Sequence, residues 1–175
     1  MREFLVFFRA GAKSLHGEAL AGDPNRNWDC CVSWYSKPAP TEALAEYYVE
    51  GGKNKLDAFA DAYKNTFAAL PYRWLLVVDD DVRFKPGDIS RMFEIAARDR
   101  LDLSQPALAW GTNSNFDLTL WNPACVVRRV RWVEVMAPCF AKTAIDKLLP
   151  TFYLTTSTWG ADYACTGRPG RRSRT

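Results

Sequence analysis

The chain has 175 residues, 48% of them apolar and 25% charged, a size and mixture that give one folded domain and exclude disordered and collagen-like classes. Its net charge of +3 comes from the end of the chain: without Arg168, Arg171, Arg172 and Arg174, residues 1–167 carry −1. A basic nucleic-acid binder is therefore excluded, because its charge would be spread over a folded face.

Phe4-Leu5-Val6-Phe7-Phe8 reads as the first buried strand. It is too short for a secretory h-region and runs into Arg9 instead of a small-residue cleavage site. No apolar stretch reaches the roughly 20 residues a membrane span requires, so a cytoplasmic protein is expected. The loop that follows, Arg9 to Ser14, combines two basic residues with Gly11; its backbone can approach a phosphate, with Arg9 or Lys13 supplying charge. His16, the single histidine, is expected in a polar loop, where it could serve a Ser-His-Asp triad only by itself.

Trp28 to Tyr35 reads as a second strand, closed by turn residues between Ser36 and Pro40. Trp34 and Tyr35 at its end could stack on a nucleobase or simply be core. A mobile stretch is expected around Gly51-Gly52. Leu56, Phe59, Ala60, Tyr63, Phe67 and Leu70 then follow helical spacing up to Pro71. The next apolar run, Trp74 to Val78, reads as a buried strand and ends on Asp79, Asp80 and Asp81. Asp88 is the expected N-cap of a helix through Ala97.

Further strands are expected near residues 107–110 and 126–136, and a short helix containing Ile145, Leu148 and Leu149 before Pro150. The five cysteines, odd in number and without a C-x-x-C pair, predict buried thiols instead of a disulfide framework or a zinc site. Residues 166–175 lack apolar periodicity and are expected to form a disordered basic tail after a single domain over 1–165. Alternating strands and helices predict a three-layer α/β domain with a mainly parallel sheet.

The aspartate cluster carries the most chemistry. Carboxylates emerging together at a strand's C-terminal end raise one another's pKa unless a cation or basic group neutralises them. Such sheet edges are where open α/β folds bind ligands. Strand alternation would send Asp79 and Asp81 to one side and Asp80 to the other, which makes Asp79 and Asp81 the natural pair for Mg²⁺ or Mn²⁺ bridging a substrate's phosphates. Arg83, two residues beyond Asp81, could instead pair with one of these carboxylates.

Several ordered segments together resemble the domain of unknown function 707 family, itself similar to glycosyltransferases of the GT-A fold. They are Phe7-Phe8-Arg9-Ala10-Gly11 with Ser14-Leu15-His16, Asn27-Trp28-Asp29 into Val32-Ser33-Trp34-Tyr35, Val78-Asp79-Asp80-Asp81-Val82, Leu103 to Leu108, Val133 to Phe140, and Trp159-Gly160-Ala161-Asp162-Tyr163. The resemblance implies a GT-A-like α/β/α sandwich with a nucleotide-binding sheet. It implies a nucleotide-sugar donor on Arg9, Lys13 and Asp80, and Mn²⁺ or Mg²⁺ on Asp79 and Asp81. It further implies Asp162 as the base that deprotonates a hydroxyl acceptor, with Trp159 and Gly160 against a carbohydrate or other acceptor. The pattern stops soon after Asp162, and the later strand and histidine common in GT-A proteins are missing, so a truncated, inactive form is also expected. Two alternatives stand beside sugar transfer: a non-catalytic nucleotide-binding module, and Mg²⁺-dependent phosphoryl transfer through a strand-end aspartate.

Overall fold

Strands β1 (Phe4–Ala10), β2 (Trp28–Trp34) and β4 (Trp74–Val78) are buried almost end to end, as expected of apolar runs covered on both faces. The computed structural model describes residues 2–36, 44–112, 114, 116–154, 156–158 and 160. Three shorter strands, β3 (Tyr47–Glu50), β5 (Leu103–Ser104) and β6 (Cys139–Ala141), complete a six-stranded sheet of order β3-β2-β1-β4-β6-β5. The pairings β1 with β2, β1 with β4 and β2 with β3 are parallel; β6 is antiparallel to both β4 and β5.

Side-chain alternation sorts the core into two layers. Val6, Phe8, Leu76 and Val78 face helices α1 (His16–Ala21) and α3 (Asp88–Arg98), packing with Leu20, Ile89 and Phe93. Leu5, Phe7, Leu75 and Val77 face α2 (Lys55–Asn65) and α4 (Lys142–Leu148), packing with Leu56, Phe59 and Ile145. Phe59 is fully buried, with the rings of Phe7, Phe152 and Phe140 at centroid separations of 5.3, 6.0 and 6.4 Å. The molecule is thus a mixed α/β domain of three layers around a mainly parallel sheet.

The chain runs from β1 outward through β2 to β3, then crosses back to β4 on the other side of β1. That reversal opens a crevice between the carboxyl ends of β1 and β4. The loop after β1 and the three aspartates after β4 both lie there.

Several expectations change. Neither 107–110 nor 126–136 forms a strand; the former contributes one bridge, Leu108 to Leu120, and the mixed charges of 126–136 give no apolar face for a sheet to bury. The strands of that half are instead β5 and β6, with β6 lying between Pro138 and α4. His16 opens α1 and is buried at 7% exposure, its ring 2.7 Å from the Ser14 hydroxyl and edge-on to Trp34. The N-cap of α3 is Gly87 in the left-handed conformation; Asp88 is the first helical residue and accepts from the Lys85 N–H at 3.2 Å. After α4 a 3-10 turn runs from Leu149 through Pro150 to Tyr153, since proline is tolerated in the first turn of a new helix. Cys30, Cys31 and Cys139 are buried, Cys125 is exposed and none of the four forms a disulfide; Cys165 and the expected tail lie outside the described residues.

Candidate functional site

Arg9, next to the last residue of β1, lies on the α2 face of the sheet, and its register partner on β2 is Ser33. Its guanidinium donates to the Ser33 hydroxyl at 2.7 Å and to the carbonyls of Gly51 and Gly52 at 2.6 and 3.0 Å. Arg9 is 9% exposed, and burial lowers its pKa from the ordinary value. The stretch expected to be mobile is thereby tied to the sheet, and Arg9 braces the loop that starts α2. Lys13, exposed in the β1–α1 loop, has no side-chain hydrogen bond or ion pair among the described residues.

Alternation also puts Asp79 on the α2 face, and α2 presents Lys55 to it. The Lys55 ammonium lies 2.7 Å from Asp79 Oδ1 and donates to the carbonyls of Val135 and Met136 at 2.6 and 3.0 Å. Lys55 is 3% exposed. Burial pushes its pKa below the ordinary lysine value and pushes the Asp79 carboxyl above its own, desolvation outweighing the attraction in both. Such a pair fixes geometry more than it adds stability. It also sews residues 135–136 to β4, where the Asp79 N–H donates to Met136 O at 3.1 Å and the Val77 N–H to Pro138 O at 2.9 Å.

β4 ends at Val78, so Asp80 and Asp81 belong to a turn and strand alternation does not pair Asp79 with Asp81. The Asp80 side chain accepts from the Tyr35 hydroxyl at 2.5 Å, and its carbonyl accepts from the Leu15 N–H at 2.8 Å. Asp81 is exposed, with no side-chain hydrogen bond among the described residues. Arg83 turns away to Glu18, at 3.0 Å, and takes no part in the cluster. Gly11 permits the contact between Tyr35 and Asp80: a Cβ there would stand 2.4 Å from the Tyr35 hydroxyl and 3.0 Å from Asp80 Oδ2. Trp34 is buried at 8% exposure and belongs to the core, while Tyr35 is 54% exposed over the crevice.

The Asp80 hydrogen bond pushes the Tyr35 phenol up to about 12 from 10.0. A pKa raised on folding contributes stability that is present below the unfolded value and lost as pH rises through the folded one. Tyr35→Phe is therefore expected to cost about 0.5 kcal/mol in this exposed pair, or roughly 1–2 °C of melting temperature. The difference from the native chain should vanish between pH 10 and about 12. Melting curves of both proteins across that range check it; a gap that persists above pH 12 would assign the loss to packing.

Asp79 and Asp80 each retain one oxygen outside the bonds described, and Asp81 retains both. Among the described residues no three His, Cys, Asp or Glu side chains are gathered to hold a metal ion. The donor set fits a hard divalent cation that arrives with phosphate oxygens, and does not fit an all-protein cage. Gly160 is described, with φ +85; Trp159 and Asp162 lie outside the described residues.

Lys55 is the main participant that sequence reasoning missed. A usable signal existed: in a parallel unit the helix after a strand begins at the carboxyl edge, so a lysine in the first turn of α2 starts beside the Asp79 end of the sheet.

No family model matches the chain, and no curated protein matches it. Among solved structures it is similar to 2-C-methyl-D-erythritol 4-phosphate cytidylyltransferase from Thermus thermophilus, with TM-score 0.54, 19% identity, and 86% of this chain and 75% of that one covered. It is also similar to a protein from Desulfovibrio desulfuricans named as a nucleotide-diphospho-sugar transferase, with TM-score 0.52, 14% identity, and coverage of 94% and 74%. At these identities the likeness establishes the fold alone.

Proposed function

We propose that this chain is the nucleotide-sugar-binding domain of a GT-A-like transferase that moves a sugar from a nucleotide-sugar donor to a hydroxyl acceptor. The observation that carries the reading is the meeting of the Gly11 loop, Tyr35 and the three aspartates at one sheet edge, beside the reversal in strand order. The fold of the structural neighbours supports it.

In this reading Lys13 faces the donor's phosphates, Arg9 shapes the floor through Gly51 and Gly52, and Tyr35 offers a ring for the base. Asp81 and the remaining oxygen of Asp79 would hold Mn²⁺ or Mg²⁺ together with the diphosphate, with Asp80 beside the donor. A divalent cation bound there supplies neutralisation of the charge that develops on the leaving diphosphate. Lys55 holds Asp79 in place, and the Tyr35 bond orients Asp80. Asp162, assigned from the sequence pattern, is the base that takes the acceptor's proton, with Trp159 and Gly160 beside the acceptor.

Calorimetry of a nucleoside diphosphate with and without Mn²⁺ tests the reading. Mn²⁺ is expected to strengthen binding, and Asp81→Asn to remove about tenfold of that gain, the loss of one charged ligand. Lys13→Ala should weaken diphosphate binding more than nucleoside binding. Equal affinity with and without metal, unaffected by Asp81→Asn, would overturn the metal role. No nucleotide binding at all would overturn the whole reading. Binding without turnover of any nucleotide sugar would assign the chain to the non-catalytic module.

A further inference from the structure

The long connection between β5 and β6 carries apolar side chains on its outside. Trp110 is 68% exposed, Val126 67%, Trp121 52%, Val130 41% and Leu118 38%. They belong to one held lobe. Leu108 bridges Leu120, with the Leu108 N–H donating to Thr119 O at 2.9 Å and the Trp121 N–H to Leu108 O at 2.8 Å. The Arg128 guanidinium donates to the carbonyls of Leu118 and Leu120, and the rings of Phe116 and Trp132 pack at 4.1 Å between centroids. Trp110 and Trp121 therefore flank the Leu108–Leu120 bridge, and Val126 and Val130 flank the arginine that grips the same strand of backbone.

Single exposed apolar residues are ordinary; five of them gathered on one lobe mark a surface that meets a partner. Charge narrows the partner. Residues 107–132 hold Arg128, Arg129 and Arg131 against one acid, Asp117, which is +2 in a body of residues 1–167 whose total is −1, so everything else carries −3. Arg128 is committed to backbone carbonyls, while the exposed Arg129 and Arg131 have no side-chain partner among the described residues.

We propose that this lobe docks on an anionic phospholipid surface, with Trp110, Trp121 and Val126 entering the boundary between headgroups and acyl chains and Arg129 and Arg131 lying against the phosphates. Projecting indoles and aliphatics beside basic groups are the pattern of interfacial attachment, where Trp sits at headgroup depth and each arginine adds electrostatic attraction. No described helix is long and apolar enough to cross a membrane. The lobe leads directly into residues 135–138, which lie along β4 beside Asp79. The inference stands without the nucleotide reading.

The test is cosedimentation of the full chain with phosphatidylcholine vesicles prepared with and without phosphatidylserine. Binding is expected only with phosphatidylserine. The partition coefficient should fall roughly tenfold or more in Arg129→Glu/Arg131→Glu and by a comparable factor in Trp110→Ala/Trp121→Ala. Both variants change exposed side chains and should melt like the native chain; a variant that does not is replaced by the single substitutions. Failure to bind phosphatidylserine vesicles, or equal binding to neutral ones, overturns the proposal. Self-association abolished by the tryptophan variant, without vesicle binding, assigns the lobe to a second copy of the chain. Release from vesicles by inorganic phosphate at matched ionic strength assigns the arginines to a soluble anion.

Discussion

Replacing Lys55 by methionine is expected to destabilise the domain by about 3 kcal/mol, or roughly 6–12 °C of melting temperature. The ammonium is the part of Lys55 that donates to Asp79 and the carbonyls of Val135 and Met136, so the variant leaves Asp79 Oδ1 and Val135 O without that donor, while Met136 O keeps the Asp79 N–H. The estimate sits at the low end for a broken buried pair because the Asp79 side chain keeps 35% of its exposure and water can reach it. Asp79→Asn should cost less, since the ammonium retains both carbonyls. The double variant Lys55→Met/Asp79→Leu should recover more than half of the loss, because removing both charges also removes their desolvation. Thermal melts of the three variants form a double-mutant cycle. If Lys55→Met melts within a degree of the native chain, the pair has no structural role and Asp79 is as free as Asp81.

Gly52→Ala is expected to cost about 2–4 kcal/mol, against about 1–2 kcal/mol for Gly51→Ala. Both glycines have positive φ, +76 and +95, so an alanine is strained at either. They differ in surroundings: a Cβ on Gly51 meets nothing within 4 Å, whereas one on Gly52 would stand 2.4 Å from the Ala58 Cβ and 2.7 Å from the Ala58 N. That contact is with α2 itself and cannot be relieved by turning a flexible side chain. The expected consequence is a shift of the first turn of α2, which carries Lys55, so nucleotide affinity should fall with stability in Gly52→Ala and be retained in Gly51→Ala. Denaturant melts and calorimetry on the two proteins measure this; equal losses would show that backbone strain alone is at work.

The central strands and the two long helices, α2 and α3, were legible because their signals are local. Residues 4–8, 28–34 and 74–78 are largely apolar runs, and Leu56, Phe59 and Tyr63 repeat with the helical period. β3, β5 and β6 were not legible, because each is four residues or fewer and exists by virtue of the strand it pairs with. The same reason explains the misplaced strands at 107–110 and 126–136: valines at intervals favour a strand, but no edge of the sheet receives them.

By itself the sequence determined an α/β fold with a mainly parallel sheet and three carboxylates at the end of a buried strand. Only the tertiary structure decided what those carboxylates touch. Asp79 and Lys55 are 24 residues apart, Tyr35 and Asp80 are 45 apart. No periodicity spans such distances, because the partners meet only after parallel crossovers have brought the starts of α1 and α2 to the same sheet edge. A cation or basic group was expected to neutralise the aspartates, and the fold supplies an ammonium to one and a phenol hydroxyl to another. Burial explains the difference: inside the sheet edge a charge must find its counter-charge within the protein, while Asp81, out in water, need not.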